Sequence, residues 1–445
     1  MVGDARRSAA AFRSCQGTFM IDIKLIRENP EKFIEAARLK NVDADIPALL
    51  DADRRLTDAQ REMQEVRTRQ NAAGKQIAQL KGDAKAKAIE AMGLLKARVK
   101  ELADLIDQLQ PRFDELMLRT AQPAAPEVPI GRDDTENVVL RVEGEVPKFD
   151  FPLKDHVQLG EALDIIDIPR GVKLAGSRNY ILKGAGALMH QAILRLAIDQ
   201  MVAKGYTLMT VPVLVNESVM YGTGYFPAGR DQAYLAERDG MSLIGTAEVP
   251  VTAYHGGEIL DEADLPRKYV AMSTCFRREA GAAGKDTYGL YRVHFFDKVE
   301  QVILCRNDEA TSIRHHQEIL ANAEDVLKAL KLPYRVVNVC TGDLGQGQVQ
   351  KFDIETWMPS RGNYGETHSA SRFYEFQARR LNMRYRGADG TVRYVHTLNN
   401  TVIASPRVLI PVLEFYQNSD GTVTVPEALR PYMAGMESIE KKGGK

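Results

Sequence analysis

Cysteine is scarce in this sequence: four residues in 445, at positions 15, 275, 305 and 340. None stands at the short spacing of a zinc site or a redox pair. They read as reduced thiols of a cytoplasmic protein. No apolar run approaches the roughly 20 residues of a membrane span, so no membrane role is expected. Charge of one sign is also missing, because 59 Lys and Arg stand against 60 Asp and Glu. Global charge therefore implies no polyanion partner, although a local basic patch is still open to the chain. There is no G-x-G-x-x-G after a strand and no G-x-x-x-x-G-K-[ST], which argues against a doubly wound or P-loop nucleotide site.

What is present is a soluble composition, 44% apolar and 27% charged, in a chain long enough for two or three domains. Residues 1–19 have no hydrophobic pattern and read as a disordered extension, with a transit peptide as the alternative. From Leu49 to Leu116 a heptad pattern runs in two arms, broken at Lys81-Gly82-Asp83-Ala84. Such a repeat specifies a coiled coil, here an antiparallel helical hairpin with arms of roughly 50 Å. Asp45 is the expected N-cap, with Pro47 in the first turn. Pro111 predicts a kink or break late in the second arm.

Between Arg54 and Lys100 the arm has twelve Lys/Arg against five Asp/Glu. A solvated coiled-coil face and a nucleic-acid-binding face both fit that excess. Gln122 to Pro129 reads as an extended linker. The expected division is therefore 1–19 extension, 20–122 helical arm domain, 123–135 linker and 136–445 second domain. In that second domain a helix over Met189 to Lys204 leads to a strand ending near Pro212. Strands then dominate, at Tyr269 to Phe276, Tyr291 to Val302, Tyr334 to Val339 and Lys351 to Met358. Helices interrupt them at Asp308 to Leu330 and Val408 to Tyr416. That order predicts an α+β fold, an antiparallel β-sheet flanked by helices.

The most telling segment is Thr274-Cys275-Phe276-Arg277-Arg278-Glu279-Ala280-Gly281. On a strand Arg277 and Glu279 would share a face. An arginine fork can hold a phosphate and a carboxylate together, and the glutamate can accept from an exocyclic amine. A buried Arg–Glu pair in a sheet would explain the tetrapeptide alone equally well.

Taken with its neighbours, the segment resembles the second motif of the seryl-tRNA synthetases, bacterial-type class II aminoacyl-tRNA synthetases. The other two motifs follow the family order: the helix and strand ending at Pro212, and Leu398-Asn399-Asn400-Thr401 through Pro406-Arg407. Gly245-Thr246-Ala247-Glu248-Val249-Pro250 and Lys298-Val299-Glu300 are further family signatures. The resemblance spans Met20 to about Met433 and implies ATP-dependent activation of L-serine, then transfer to tRNA(Ser), and to tRNA(Sec) where that exists. It implies Arg277, Glu279 and Arg407 as the catalytic set. It assigns L-serine to Thr246, Ala247, Glu248, Arg277, Glu300, Asn399 and Thr401. ATP would lie on Arg277, Arg278, Glu279, Val293, Phe296, Glu366, Thr367, His368, Ser369 and Arg407, with Mg2+ on Glu366 and Ser369 and no zinc. The arm residues Arg61, Arg67, Arg69, Lys75, Lys96 and Arg98 would meet tRNA, and a homodimer is implied.

Gly365, Ala370 and Phe295 depart from the commonest family residues, and none of them removes a charged catalytic group. Two rival readings are a relative that loads a carrier protein and a non-catalytic partner protein. The intact basic arm disfavours the first, and retention of Arg277, Glu279, Glu366 and Arg407 disfavours the second.

Overall fold

A computed structural model describes residues 21–281, 284 and 287–441 of the chain. The expectation for residues 1–19 lies outside them. The chain divides into two compact units, Phe19–Pro123 and Ala124–Lys445.

The first unit is built on α1 (Ile46–Ile77) and α2 (Asp83–Arg119). Helix α1 starts where the sequence said it would, since the Asp45 side chain accepts from the Ala48 amide at 2.8 Å. The predicted seam is the buried stripe. Leu49, Ala52, Leu56, Ala59 and Val66 of α1, and Leu102, Leu109, Phe113 and Leu116 of α2, are all buried. The break expected at Pro111 does not occur, because α2 runs through it as one helix. Pro111 is exposed, while Leu109 and Phe113 on either side are anchored in the seam. Packing of the stripe outweighs the lost backbone hydrogen bond.

The second unit is an eight-stranded sheet. In chain order its strands are β1 (Val138–Glu143), β2 (Thr207–Met209), β3 (Arg267–Phe276), β4 (Phe295–Cys305), β5 (Tyr334–Asn338), β6 (Gln350–Met358), β7 (Asn363–Arg372) and β8 (His396–Ser405). Their spatial order is β1-β5-β6-β7-β8-β4-β3-β2. All neighbours are antiparallel except β2 and β3. Two helices, α3 (Gly184–Ala203) and α4 (Glu309–Ala329), cover one face with Met189, Ile193, Ala197, Met201, Ile319, Ala323 and Leu327. A shorter helix, α5 (Leu409–Phe415), follows β8. Strand alternation then decides what faces the open side. Val299 and Ile303 enter the helix-covered core, while Phe296, Lys298 and Glu300 line a cleft.

The stretch expected to be an extended linker is, from Ala124 on, part of this unit. Ala125 and Val128 pack with Val339 and Leu344, and the Ala125 amide donates to the Val349 carbonyl at 2.8 Å. Glu127 accepts from the fully buried Arg372 at 2.8 Å. Among the described residues no helix is long and apolar enough to cross a membrane.

Candidate active site

Two β-bulges shape the cleft. In β7, Ile354 and Glu355 oppose His368 and Glu366, so Thr367 is the extra residue. In a regular strand Glu366 and Ser369 would point to opposite faces. The bulge shifts the alternation by one, and both line the cleft. The same device operates in β8, where Val299 and Glu300 oppose Ile403 and Thr401. Val402 is the extra residue and goes to the core, so Asn399, Thr401 and Ala404 all line the cleft beside Glu300 and Lys298.

The expectation that Arg277 and Glu279 share a strand face does not hold, because β3 ends at Phe276. Glu279 instead adopts a left-handed backbone with φ +52°. That turn returns its carboxylate to Arg292, whose Nη1 donates at 2.6 Å. Arg277 lies over the Phe296 ring, 5.3 Å from its centroid. Arg407 donates to the carbonyls of Tyr291 and Glu366, each at 3.0 Å, and its guanidinium lies 4.5 Å from the Tyr291 centroid. An added Cβ at Gly365 would meet the Tyr291 ring at 3.0 Å, so the departure from the family pattern there makes room for that tyrosine.

The polar end of the cleft is crowded with titratable groups. Glu248 opens the helix Glu248–Ala253 and accepts from Tyr225 at 2.6 Å and from Gln377 at 2.8 Å. Burial, and then the neighbouring Glu300, push the Glu248 carboxyl above the ordinary range. Burial likewise raises Glu300, while Lys298 at 2.7 Å pulls the other way. Thr401 donates to Glu300 at 3.4 Å. At the other end desolvation works against the half-exposed Glu366 carboxylate, but Arg407, Lys351 and Arg277 hold it below the usual range. Asp353 is pushed up to about 7 by burial. Lys351 stays above the ordinary lysine range in spite of burial, because Asp353 and Asp343 lie 3.3 and 3.6 Å away. His368 is buried and held down at about 3.

The cleft thus gathers Arg277, Glu279, Arg407, Glu248, Glu300, Asn399, Thr401, Val293, Phe296, Glu366, Thr367, His368 and Ser369. Three expected residues do not line the cleft. The Thr246 hydroxyl accepts from the Glu248 amide at 3.1 Å, Ala247 is packed against Val251 in the core, and Arg278 is exposed outside the cleft wall. Tyr225, Lys298, Lys351 and Gln377 were missed. Lys298 could have been read from its strand spacing to Glu300; the others meet the site only through contacts distant in sequence. Of the arm residues, Arg61 is paired with Asp58, and Arg98 with Glu62 and Glu101. Arg67, Arg69, Lys75 and Lys96 are exposed. Among the described residues no group of three His, Cys, Asp or Glu could hold a metal ion by itself.

By family model the sheet and its cleft are the core of a class II aminoacyl-tRNA synthetase. Residues 234–416 match the tRNA synthetase class II core domain (G, H, P, S and T), and residues 20–120 match the seryl-tRNA synthetase N-terminal domain. The serine–tRNA ligase of Deinococcus radiodurans is 44% identical, over 94% of this chain and 99% of that protein. The crystal structure of seryl-tRNA synthetase from Pyrococcus horikoshii complexed with ATP superposes with a TM-score of 0.89 at 36% identity, covering 95% of this chain and all of that one. The cytoplasmic serine–tRNA ligase of Naegleria fowleri in complex with AMP gives 0.82 at 27% identity, covering 96% of this chain and 98% of that one. The chain belongs to the seryl-tRNA synthetase family.

Proposed function

We propose that this protein uses ATP to convert L-serine to seryl-adenylate and then transfers the seryl group to tRNA(Ser), and to tRNA(Sec) where that is present. The observation that carries the substrate choice is the polar end of the cleft, where Glu248, Glu300, Lys298 and Thr401 stand together and offer hydrogen bonds. A pocket whose buried polar groups need a hydroxyl rejects alanine, because they would be left unpaired. The two carboxylates receive the ammonium and hydroxyl of serine. The relatives solved with ATP and with AMP support nucleotide binding by this fold, and the adjoining half of the cleft is where this reading puts the ATP.

The chemistry needs no covalent side chain. A serine carboxylate oxygen attacks the α-phosphorus, and the bond to pyrophosphate breaks. Arg277 holds the carboxylate and α-phosphate in line, and Arg407 neutralises the leaving phosphates. The adenine lies against Phe296 and Val293, its amine toward Glu279. Glu366 and Ser369 fit a hard cation, because both present oxygen on one face of β7. Mg2+ bound there supplies charge neutralisation of the phosphates.

The reading extends to the first unit and to assembly. The arm, residues 20–122, meets the tRNA backbone through its basic face, with Arg67, Arg69, Lys75 and Lys96 exposed for contact and Arg61 and Arg98 released from their ion pairs. The enzyme works as a cytoplasmic homodimer, and a fully active monomer in sedimentation would contradict that. ATP–pyrophosphate exchange with each of the twenty amino acids tests the activation step and its choice of amino acid. Serine should drive it strongly, and equal exchange with threonine, alanine or cysteine would sink the assignment.

A further inference from the structure

One buried ring links three separate segments that meet behind the cleft. His156 begins the helix His156–Ala162 and is nearly buried. Its Nδ1 lies 2.9 Å from Oε1 of Glu414, a fully buried carboxylate in α5, the helix that follows Arg407. The Leu290 amide donates to its Nε2 at 3.1 Å. These partners fix the tautomer: Nδ1 carries the proton and Nε2 carries the lone pair. Glu414 is held in turn by the amide and hydroxyl of Ser360, at 2.9 and 2.8 Å. Gly289 lets the chain come this close. It has φ +73°, and a Cβ there would sit 2.2 Å from Nε2. Next to His156, Asp155 accepts from the Tyr288 hydroxyl at 3.1 Å.

Leu290 immediately precedes two cleft residues. The Tyr291 carbonyl and ring hold Arg407, and Arg292 holds Glu279. We propose that His156 is a positioning residue for the nucleotide half of the cleft: its neutral ring pins the Leu290 amide and thereby fixes Tyr291 with Arg407 and Arg292 with Glu279. The serine pocket is built from Glu248, Glu300 and Thr401 on other elements, so it does not depend on this pin. The inference rests on the proposed activity for its kinetic consequence and on geometry alone for the contact.

Two isosteres separate the two ring nitrogens in the full-length protein. In His156→Gln the amide oxygen takes the place of Nε2 and can still accept from Leu290. In His156→Asn the amide nitrogen takes the place of Nδ1 and can still donate to Glu414, but Leu290 loses its acceptor. Hydrogen exchange of the Leu290 amide, read without substrate, should speed up about tenfold in His156→Asn and return to within about threefold of the parent in His156→Gln. In serine-dependent pyrophosphate exchange the ATP KM should rise about tenfold in His156→Asn, with the serine KM unchanged within about twofold. Gly289→Ala, which pushes the ring away, should behave like His156→Asn and serves if that variant does not fold. Equal behaviour of the Asn and Gln variants, or equal losses for ATP and serine, overturns the proposal. Unaltered protein that exchanges no pyrophosphate with serine overturns the proposed function instead and leaves the amide-exchange result standing.

Discussion

Lys298 Nζ lies 2.7 Å from Oε2 of Glu300, and both side chains are under a tenth exposed. The proposed serine pocket therefore carries its own cationic side chain, on the same strand face two residues away. Burial already holds the Glu300 carboxyl above its ordinary range, and Lys298 opposes that rise. A neutral carboxyl cannot hold the substrate ammonium. Lys298→Met removes the opposing charge, so Glu300 must take up its proton at a higher pH than in the parent. The acid limb of kcat/KM for serine should move to higher pH, and the serine KM at pH 7 should rise at least about tenfold. An unmoved acid limb would remove Lys298 from the pocket's electrostatics.

Arg277 presents a planar fork above Phe296. Arg277→Lys keeps the charge and loses the bidentate geometry. Adenylate formation should lose roughly 2–4 kcal/mol of transition-state stabilisation. Single-turnover adenylate formation near the parent rate would take Arg277 out of the mechanism.

The arm should be separable from activation. Deleting Leu56 to Leu109 and closing the hairpin with a short turn should leave serine-dependent pyrophosphate exchange largely intact. Charging of tRNA should collapse, and the salt dependence of tRNA binding should become shallower as fewer counterions are released. A deletion variant that charges tRNA as well as the intact protein would make the arm a purely structural coiled coil.

Two buried histidines of the second unit predict acid sensitivity. His316 stacks on Phe352 at 4.7 Å and is held at about 4 by burial. His396 lies 5.0 Å from Tyr374 and is held at about 4 by burial and then by Arg372. Both are lowered from about 6.5 in the unfolded chain, so the unfolded state binds more protons as pH falls. Their contribution is complete above pH 6.5 and is lost toward pH 4, at up to about 1.4 kcal/mol per pH unit for each ring. Urea unfolding between pH 7 and 4 measures the slope. His316→Gln should flatten it, and an unchanged slope in that variant would show that the ring titrates normally in the fold.

The hairpin was legible in the sequence because its cause is local. Every seam residue from Leu49 to Leu116 is placed by a spacing of three and four, and the Asp45 cap acts over three residues. The order of the three catalytic motifs, and with it the family, was legible for the same reason: each is a short run of adjacent residues. What the sequence left open depends on contacts between distant segments. Periodicity put Arg277 and Glu279 on a strand, but pairing of β3 with β4 stops at Phe276 and Phe295, and Arg292 draws Glu279 back through a left-handed turn. Pro111 looked like a break until the buried residues around it held α2 together. Glu366 and Ser369 share a face only because neighbouring strands pair around one extra residue. Tyr225 and Gln377 reach Glu248 from 23 and 129 residues away. Sequence sets backbone preference and period within a few turns; pairing register and burial, which are properties of the whole sheet, decided where each side chain finally points.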